Sequence, residues 1–201
     1  MTSGVRKSQK EATRQRVLDA ARELFDSQGY EETTVREIAR RAEVAVGSVF
    51  TTFASKGDIL SQVMQDRLEG LYTELDRVAP HLRGSTVDRL RSFFAIHFAY
   101  EEPRTKLFLS HVAAAFDWRL SPTAKPYGRT PRLKELLRLT LEDGVSRGDI
   151  DGQVDLDEAV ELILAAYAWT YRLAAWEDRD AAQMTAVMDR QLGLIVSGLS
   201  A

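Results

Sequence analysis

The chain has 201 residues, a formal net charge of -3 and a hydrophobic fraction of 44%, which is ordinary for a globular protein with a sizeable core. It contains no cysteine, which excludes a disulfide framework, a thiolate metal site and a cysteine nucleophile. The N-terminus lacks the apolar core of a signal peptide, and the longest apolar run, residues 162–169, is too short to cross a bilayer, so we expect a cytoplasmic protein without a membrane partner.

The N-terminal residues are basic and precede an amphipathic segment. Residues 1–16 carry five basic side chains and one acidic side chain, a net charge of +4. We expect residues 1–9 to be disordered, either as a solvated tail or as an arm that approaches phosphate groups. Residues 11–27 predict a first helix that ends at Gly29, with a buried stripe formed by Val17, Ala21, Leu24 and Phe25.

Residues 34–56 predict two short helices, a tight turn between them and the start of a third helix. Thr34 and Glu37 have the spacing of a capping box, which marks a helix start. The apolar residues that follow recur at helical spacing: Val35, Ile38, Ala39 and Ala42. A second short helix is expected over residues 47–53, and Ser55 with Asp58 predicts the next cap. This layout is that of a helix-turn-helix, whose second helix can enter the DNA major groove.

In these residues the chain resembles the TetR-type (tetracycline-repressor-like) transcriptional regulators. The family pattern runs Thr-x-x-x-Ile-Ala, Ala-Gly-Val, Gly-Thr-Leu-Tyr, Phe and Ser-Lys. It stands here as Thr34, Ile38-Ala39, Ala42-Glu43-Val44, Gly47-Ser48-Val49-Phe50, Phe53 and Ser55-Lys56. The likeness extends back to the first helix and covers about the first third of the chain.

Two positions depart from the family pattern. Glu43 occupies a turn position where the family usually has Gly, and a positive φ there is costly for a residue with a side chain. Phe50 replaces the usual Tyr, and it cannot donate the hydroxyl hydrogen bond that this Tyr gives to a phosphate. Both departures concern the details and affinity of DNA contacts rather than the motif.

The resemblance implies an all-α protein with an N-terminal three-helix helix-turn-helix domain, residues 1–54, and a larger helical ligand-binding and dimerisation domain, residues 55–201. It implies a ligand-responsive transcriptional regulator, more often a repressor, that binds a palindromic double-stranded DNA operator as a homodimer and is released by a small, mostly apolar effector. The alternative is a helical sensor or interaction protein that kept the fold but lost specific DNA binding. We expect no cofactor and no enzymatic activity, because the sequence lacks G-x-S-x-G, H-E-x-x-H and a glycine-rich phosphate loop.

The candidate DNA contacts lie on the two short helices and at the start of the third. Arg36 and Arg40 are the charged candidates, while Thr34, at a helix N-terminus, and Lys56 are expected at phosphates. The second helix has no Arg, Asn or Gln for bidentate base reading, although its Thr and Val methyl groups could meet thymine methyl groups. Its candidate contacts are Ala45, Val46, Gly47, Ser48, Phe50, Thr51 and Thr52.

Beyond residue 55 the apolar spacing predicts further helices over about residues 55–79, 86–101, 106–120, 133–147, 156–178 and 180–199. Residues 121–131 hold three prolines and a glycine, which predicts a loop. Asp155 is expected to cap the helix that follows it. The helix that begins near residue 55 is the expected mechanical connection between the two domains.

Aromatic and histidine side chains concentrate in the middle and late helices. Most of them are expected in the hydrophobic core, but a mostly apolar cavity with a few polar anchors would use the same residue types. His97 and Glu101 lie four residues apart, yet two ligands do not make a site, so no metal is expected. The candidate ligand-binding residues are Phe94, His97, Tyr100, His111, Phe116, Trp118, Trp169 and Arg172.

The last two predicted helices carry apolar residues on more than one face, among them Leu162, Ile163, Tyr167, Trp169 and Leu173. One face can cover the core, and the surplus face needs another partner. The resemblance identifies this partner as the same two helices of a second subunit. A monomer that buries these helices itself is the alternative.

Overall fold

The computed structural model describes residues 2–115 and 131–199, with side chains described for residues 8–111 and 131–199, and these residues form helices and no strand. The predicted all-α fold class is confirmed. The α-helices are α1 (Thr2–Gln28), α2 (Val35–Arg41), α3 (Val46–Thr52), α4 (Lys56–Val78), α5 (Thr86–Glu101), α6 (Thr105–Ala115), α7 (Pro131–Arg147), α8 (Leu156–Glu177) and α9 (Ala181–Ser197). Short 3₁₀ helices, Ala79–His81 and Glu102–Arg104, follow α4 and α5. No helix in the described part is long and apolar enough to span a membrane.

Two predicted boundaries change. Helix α1 begins at Thr2, so the prediction of disorder is wrong for residues 2–9. This stretch has no proline, and its Arg6, Lys7 and Gln9 favour propagation of the helix once the C-terminal part of α1 is packed. Pro131, predicted as the end of a loop, is the first residue of α7, where its fixed φ is favourable. The rest of that predicted loop and the end of the helix predicted over 106–120 lie outside the described residues.

Side-chain caps fix the starts of several helices. The predicted capping box is present at α2, where the Thr34 hydroxyl accepts from the Glu37 N–H and the Glu37 carboxylate accepts from the Thr34 N–H. Asp155 caps α8 as predicted, accepting from two backbone N–H groups. Ser55 accepts from the N–H of Asp58, which confirms the predicted cap of α4. Each start is therefore set by residues within three or four positions of it.

Packing contacts divide the described residues into two units, residues 2–67 with 106–115 and residues 68–105 with 131–199, so that α4 contributes to both. In the first unit α1 packs against α2 and α3, and these two pack against each other. Their buried contacts include Leu18, Ile38, Val49 and Phe53. The guanidinium of Arg14 lies over the ring of Phe53, 5.9 Å from its centre. The functional division at residue 54 remains a prediction.

In the second unit α5 and α8 both pack against α7 and α9. The start of α5 is tied to the end of α7, because the N–H and hydroxyl of Thr86 donate to the Asp149 carboxylate at 2.9 and 3.0 Å. A Cβ on Gly144 of α7 would lie 2.3 Å from the Thr86 hydroxyl oxygen. The close approach of these two helices therefore requires glycine at position 144.

Candidate DNA-binding surface and ligand site

The turn between α2 and α3 is closed by backbone hydrogen bonds around Glu43. The N–H of Glu43 donates to the carbonyl of Arg40 at 3.2 Å, and the N–H of Val44 donates to that of Ala39 at 3.0 Å. Glu43 has a φ of 56°, which is the left-handed conformation. Glycine adopts this conformation freely, and the family usually has glycine at this position. The exposed Glu43 side chain thus occupies a position that glycine adopts at lower cost.

Helix α3 is held by one buried side chain and presents the others outward. Val49 is the buried residue of this helix and packs into the unit formed with α1 and α2. Val46 is 37% exposed and Phe50 is 55% exposed, and these two residues lie one helical turn apart. Gly47, Ser48 and Thr51 are exposed as well. The structure therefore brings Val46, Gly47, Ser48, Phe50 and Thr51 together on one outward surface, whereas Thr52 is half-buried.

The hydroxyl groups of α3 are mostly engaged within the helix. Thr51 donates its hydroxyl hydrogen to the Gly47 carbonyl at 2.9 Å, and Thr52 donates to the Ser48 carbonyl at 3.1 Å. The hydroxyl of Ser48 has no hydrogen-bond partner among the described residues. The large exposed side chains of α3, Val46 and Phe50, are apolar, and Ser48 carries the hydroxyl hydrogen that is not donated within the described part of the chain.

Helix α2, which packs against α3, carries two of the predicted charged contacts. Arg36 and Arg40 are exposed, and neither forms an ion pair with another described residue. Arg41, by contrast, donates to the Glu23 carboxylate from Nε at 2.8 Å. The hydrogen bonds from Thr34 and, to a smaller extent, the charge of Arg40 lower the pKa of Glu37, so its carboxylate stays ionised at the start of α2. On α2, the charges available to a phosphate backbone are therefore those of Arg36 and Arg40.

Lys56, the first residue of α4, is oriented toward the turn that precedes α2. Its ammonium donates to the carbonyls of Tyr30, Glu31 and Thr33 at 2.8, 3.2 and 3.0 Å. The same ammonium lies over the Tyr30 ring, 4.2 Å from the centre. The three hydrogens of the ammonium are matched by three carbonyl acceptors. Lys56 thus holds the helix-turn-helix in place, and its predicted contact with a phosphate remains a prediction.

A cluster of buried aromatic and polar side chains, which we call the Tyr72 cluster, lies between α4, α5 and α8. His97 on α5 is fully buried, and its Nε2 lies 3.2 Å from the hydroxyl oxygen of Tyr167 on α8. The rings of Tyr72 and His97 have centres 6.4 Å apart. The remaining members are Phe94, Phe98, Glu101 and Tyr171, all buried. Of this cluster the sequence predicted Phe94 and His97 as ligand-binding residues.

Burial sets the protonation state of the Tyr72 cluster. Desolvation lowers the pKa of His97 to about 3, so its imidazole is neutral near neutral pH. Desolvation also raises the pKa of Tyr72 and of Tyr167, and the Glu101 carboxylate raises both further. The hydroxyl of Tyr72 is buried and has no hydrogen-bond partner among the described residues. A buried group of this kind is costly unless something pairs with it.

Comparisons with known proteins decide the family of this chain. Residues 17–63, which hold the C-terminal part of α1, all of α2 and α3 and the first part of α4, match the family model for bacterial regulatory proteins of the tetR family. The chain is 30% identical over 137 residues, 68% of its length, to the HTH-type transcriptional regulator HbdR of Aromatoleum sp. (strain CIB). The chain belongs to the tetR family. The alignment covers 53% of HbdR, so the chain spans about half the length of that relative.

The likeness to other tetR-family proteins extends over more of the chain. The repressor KstR of Mycolicibacterium smegmatis is 26% identical over 168 residues, 84% of this chain and 78% of KstR. The Thermus thermophilus FadR, a TetR-family repressor in complex with lauroyl-CoA, has the same fold with a TM-score of 0.78, at 23% identity over 94% of this chain and 95% of that one. These relatives are transcriptional regulators, in agreement with the prediction that the chain is not an enzyme.

The other predicted ligand-binding residues in the described part of this tetR-family chain are not members of the Tyr72 cluster. Tyr100 is 39% exposed, and His111 belongs to the first unit, where its ring lies 6.1 Å from that of Phe108. Trp169 is 55% exposed and Arg172 is also exposed, on a side of α8 that faces away from the buried Tyr167 and Tyr171. Phe116 and Trp118 lie outside the described residues.

Sequence reasoning missed five members of the cluster, namely Tyr72, Phe98, Glu101, Tyr167 and Tyr171. Periodicity places each of them on a buried helical face, but it does not show that faces of three separate helices meet. The polar atoms within an otherwise apolar stripe were the available signal, because buried hydroxyls need partners. Among the described residues no group of three or more His, Asp or Glu side chains is arranged to hold a metal ion.

Proposed function

We propose that this chain is a ligand-responsive transcriptional repressor that acts in the cytoplasm, binds a palindromic operator as a homodimer and is released by a small, mostly apolar effector. The observation that carries the proposal is the outward surface of α3, which is held by Val49, together with the exposed Arg36 and Arg40 on the neighbouring helix α2. A helix of this kind can enter the major groove while arginines at its border meet phosphates. The DNA contacts proposed are those predicted from the sequence.

The glycine on this surface supports a role in binding. A Cβ added to Gly47 would have no atom within 4 Å, so no packing within the described chain requires glycine there. The helix would be more stable with alanine at this position. A glycine that the packing of the helix does not require leaves room for another molecule to approach the backbone closely. We propose that the edges of the DNA bases approach the helix at Gly47.

Exposed apolar residues on α8 and α9 support a homodimer. Leu162 and Trp169 are each 55% exposed, and Trp176 on the same helix and Leu194 on α9 are exposed as well. Large apolar groups that remain in contact with water over two neighbouring helices are typical of a protein interface. We propose that a second copy covers them, which would pair two α3 helices at the spacing of successive major grooves, about 34–36 Å.

The Tyr72 cluster is the proposed effector site. Its apolar rings and few polar atoms are the composition of small-molecule sites, and the unpaired Tyr72 hydroxyl offers a hydrogen bond to a ligand. Tyr72 and Lys56 belong to one uninterrupted helix, α4. An effector that prefers one position of α4 would shift operator affinity by that preference, typically 1–3 kcal/mol.

Selection from a random duplex pool, followed by mobility shifts at about 50 and 200 mM salt, tests the DNA-binding part. We expect one preferred palindromic sequence and an affinity that falls steeply with salt, because phosphate contacts release counterions. Arg36→Gln with Arg40→Gln should reduce the salt dependence. If no sequence is preferred over the pool, the chain is a helical sensor that kept the fold without specific DNA binding.

Sedimentation of the wild type and of Trp169→Glu tests the homodimer. We expect a dimer for the wild type and a shift toward monomer for Trp169→Glu, since a charge at the centre of an apolar interface is strongly unfavourable. Leu139→Glu is the matched control, because Leu139 is also exposed but lies on α7. A wild type that sediments as a monomer at high concentration would remove the homodimer from the proposal.

Lauroyl-CoA is the first effector probe, because its lauroyl chain is apolar and the structurally similar Thermus thermophilus FadR is in complex with it. If it binds at the Tyr72 cluster, it should raise the melting temperature and lower the affinity for the selected duplex. Tyr72→Phe should weaken both effects while leaving DNA binding without the ligand unchanged. Binding that is indifferent to Tyr72→Phe would place the effector elsewhere.

A further inference from the structure

The composition of the α3 surface limits how it can distinguish bases. Its two large exposed side chains, Val46 and Phe50, are apolar and lie one turn apart. The hydroxyl hydrogens of Thr51 and Thr52 are donated to carbonyls of the same helix. Ser48 is therefore the one hydroxyl of α3 that has no partner within the described residues.

Base edges in the major groove offer mainly hydrogen-bond donors and acceptors. Their apolar feature is the C5-methyl group of thymine, which distinguishes a T·A pair by contact with an apolar side chain. Because α3 has no Arg, Lys, Asn, Gln, Asp or Glu, it cannot form the bidentate pairs that usually read guanine or adenine. The chemistry of its surface matches methyl groups better than any other feature of the groove.

We infer that the chain reads its operator mainly through thymine methyl groups, with Val46 and Phe50 as the residues that contact them. The inference rests on the proposed DNA-binding function and adds the class of base feature that is recognised. Both side chains are exposed, so neither is needed to hold α3 against α1 and α2, a task that Val49 performs. Replacement of Val46 or Phe50 by alanine should therefore change the recognition of DNA without unfolding α3.

Replacement of thymine by deoxyuridine tests the inference directly, because it removes the methyl group and keeps base pairing and the hydrogen-bond pattern. The full-length protein is first used to select its preferred duplex from a random pool. Each thymine of the half-sites is then replaced singly by deoxyuridine, and affinity is measured by mobility shift. We expect a loss of about fourfold for each methyl group that is contacted. Replacement of thymines in the spacer should have no effect.

Two variants assign the methyl groups to side chains. Val46→Ala and Phe50→Ala should each bind the thymine duplex more weakly and become insensitive to deoxyuridine at one position of the half-site. Arg40→Gln is the control, since a lost phosphate contact should weaken binding to the thymine and deoxyuridine duplexes alike. Circular dichroism verifies that each variant keeps the helical content of the wild type.

The outcomes separate this inference from the function on which it rests. A preferred duplex that keeps its full affinity when every half-site thymine is replaced, or that contains no half-site thymine, would overturn methyl recognition and leave the DNA-binding proposal standing. A pool that yields no preferred sequence would overturn both. If single deoxyuridine replacements lower the affinity of the wild type, and one such loss disappears in Val46→Ala or Phe50→Ala, the inference is established.

Discussion

The ammonium of Lys56 lies 2.8 Å from the carbonyl oxygen of Tyr30 and 4.2 Å from the centre of the same residue's ring. One side chain of α4 thereby donates hydrogen bonds to three carbonyls of the segment between α1 and α2, and it fixes the entry of the chain into the helix-turn-helix. The Tyr30 carbonyl also accepts from the Thr33 N–H at 3.3 Å, so Lys56 adds a second, charged donor to it. The position of α2 is in this way linked to the first turn of α4.

Lys56→Met should destabilise the protein by about 2 kcal/mol, because methionine keeps the aliphatic length and removes a charged donor from three carbonyls. Thermal and urea unfolding followed by circular dichroism measure the change. Lys106→Met is the control, since Lys106 is exposed near the start of α6 and forms no ion pair with a described residue. Equal stability of the Lys56 and Lys106 variants would show that the carbonyl contacts contribute nothing.

Glu43→Gly should stabilise the protein by about 0.5–1 kcal/mol. The φ of 56° costs a residue with a Cβ about 1–2 kcal/mol, and glycine removes that cost while losing more backbone entropy on folding. Glu43→Ala retains the Cβ and should leave the stability nearly unchanged. Urea unfolding gives the free energy of unfolding of the wild type and the two variants. If Glu43→Ala were stabilised as much as Glu43→Gly, the effect would come from removal of the Glu43 carboxylate and not from the positive φ.

Gly47→Ala should keep or raise the melting temperature and weaken DNA binding about tenfold. The added methyl group meets no atom within 4 Å in the chain, but it would stand where we propose that DNA approaches. Differential scanning calorimetry and mobility shifts on the selected duplex give the two values. Gly70→Ala, on α4, is the matched control with an ordinary contact of 3.6 Å to Tyr100, and it should leave DNA binding unchanged.

His97 should make stability depend on pH below neutrality. Its pKa is about 3 in the folded protein and near 6.5 when exposed, so the unfolded chain takes up the proton first as the pH falls. The contribution of the neutral imidazole is complete above about pH 6.5 and is lost progressively toward pH 3, at about 1.4 kcal/mol per pH unit.

Urea unfolding at pH 7 and pH 5 measures this dependence. His97→Gln should lose about 2 kcal/mol less than the wild type between these two values, because it has no imidazole to protonate. His81→Gln, at an exposed histidine in the 3₁₀ helix after α4, should follow the wild type. If the free energy of unfolding changed equally between pH 7 and pH 5 in all three proteins, the burial of His97 would not be the cause of the pH dependence.

Local signals were sufficient to predict the elements. The capping box of Thr34 and Glu37 and the cap at Asp155 depend on residues a few positions apart, so the sequence alone contains them. The same holds for the positive φ at Glu43, where the family resemblance indicated a glycine position. The start of α1 was missed because propensity over residues 2–10 is a weak signal that packing of the later turns decides.

Contacts between distant residues were not predictable in this way. The carbonyls that bind Lys56 lie more than twenty positions away in the sequence, and no periodicity indicates that a lysine reaches back to them. The Tyr72 cluster likewise joins α4, α5 and α8, and sequence spacing describes each helix separately. Trp169 and Arg172 were predicted with the ligand residues because residue type alone does not determine which side of α8 they occupy.

The two exposed tryptophans of α8 have a practical consequence. Trp169 and Trp176 are two of the three tryptophans of the chain, and both are in contact with water in the single subunit. Indole emission moves to shorter wavelengths when water is excluded from the ring. The protein therefore carries an intrinsic fluorescent reporter on this surface. If a second copy covers the surface, as we propose, dilution of an unlabelled sample should shift the emission to longer wavelengths as the two copies separate.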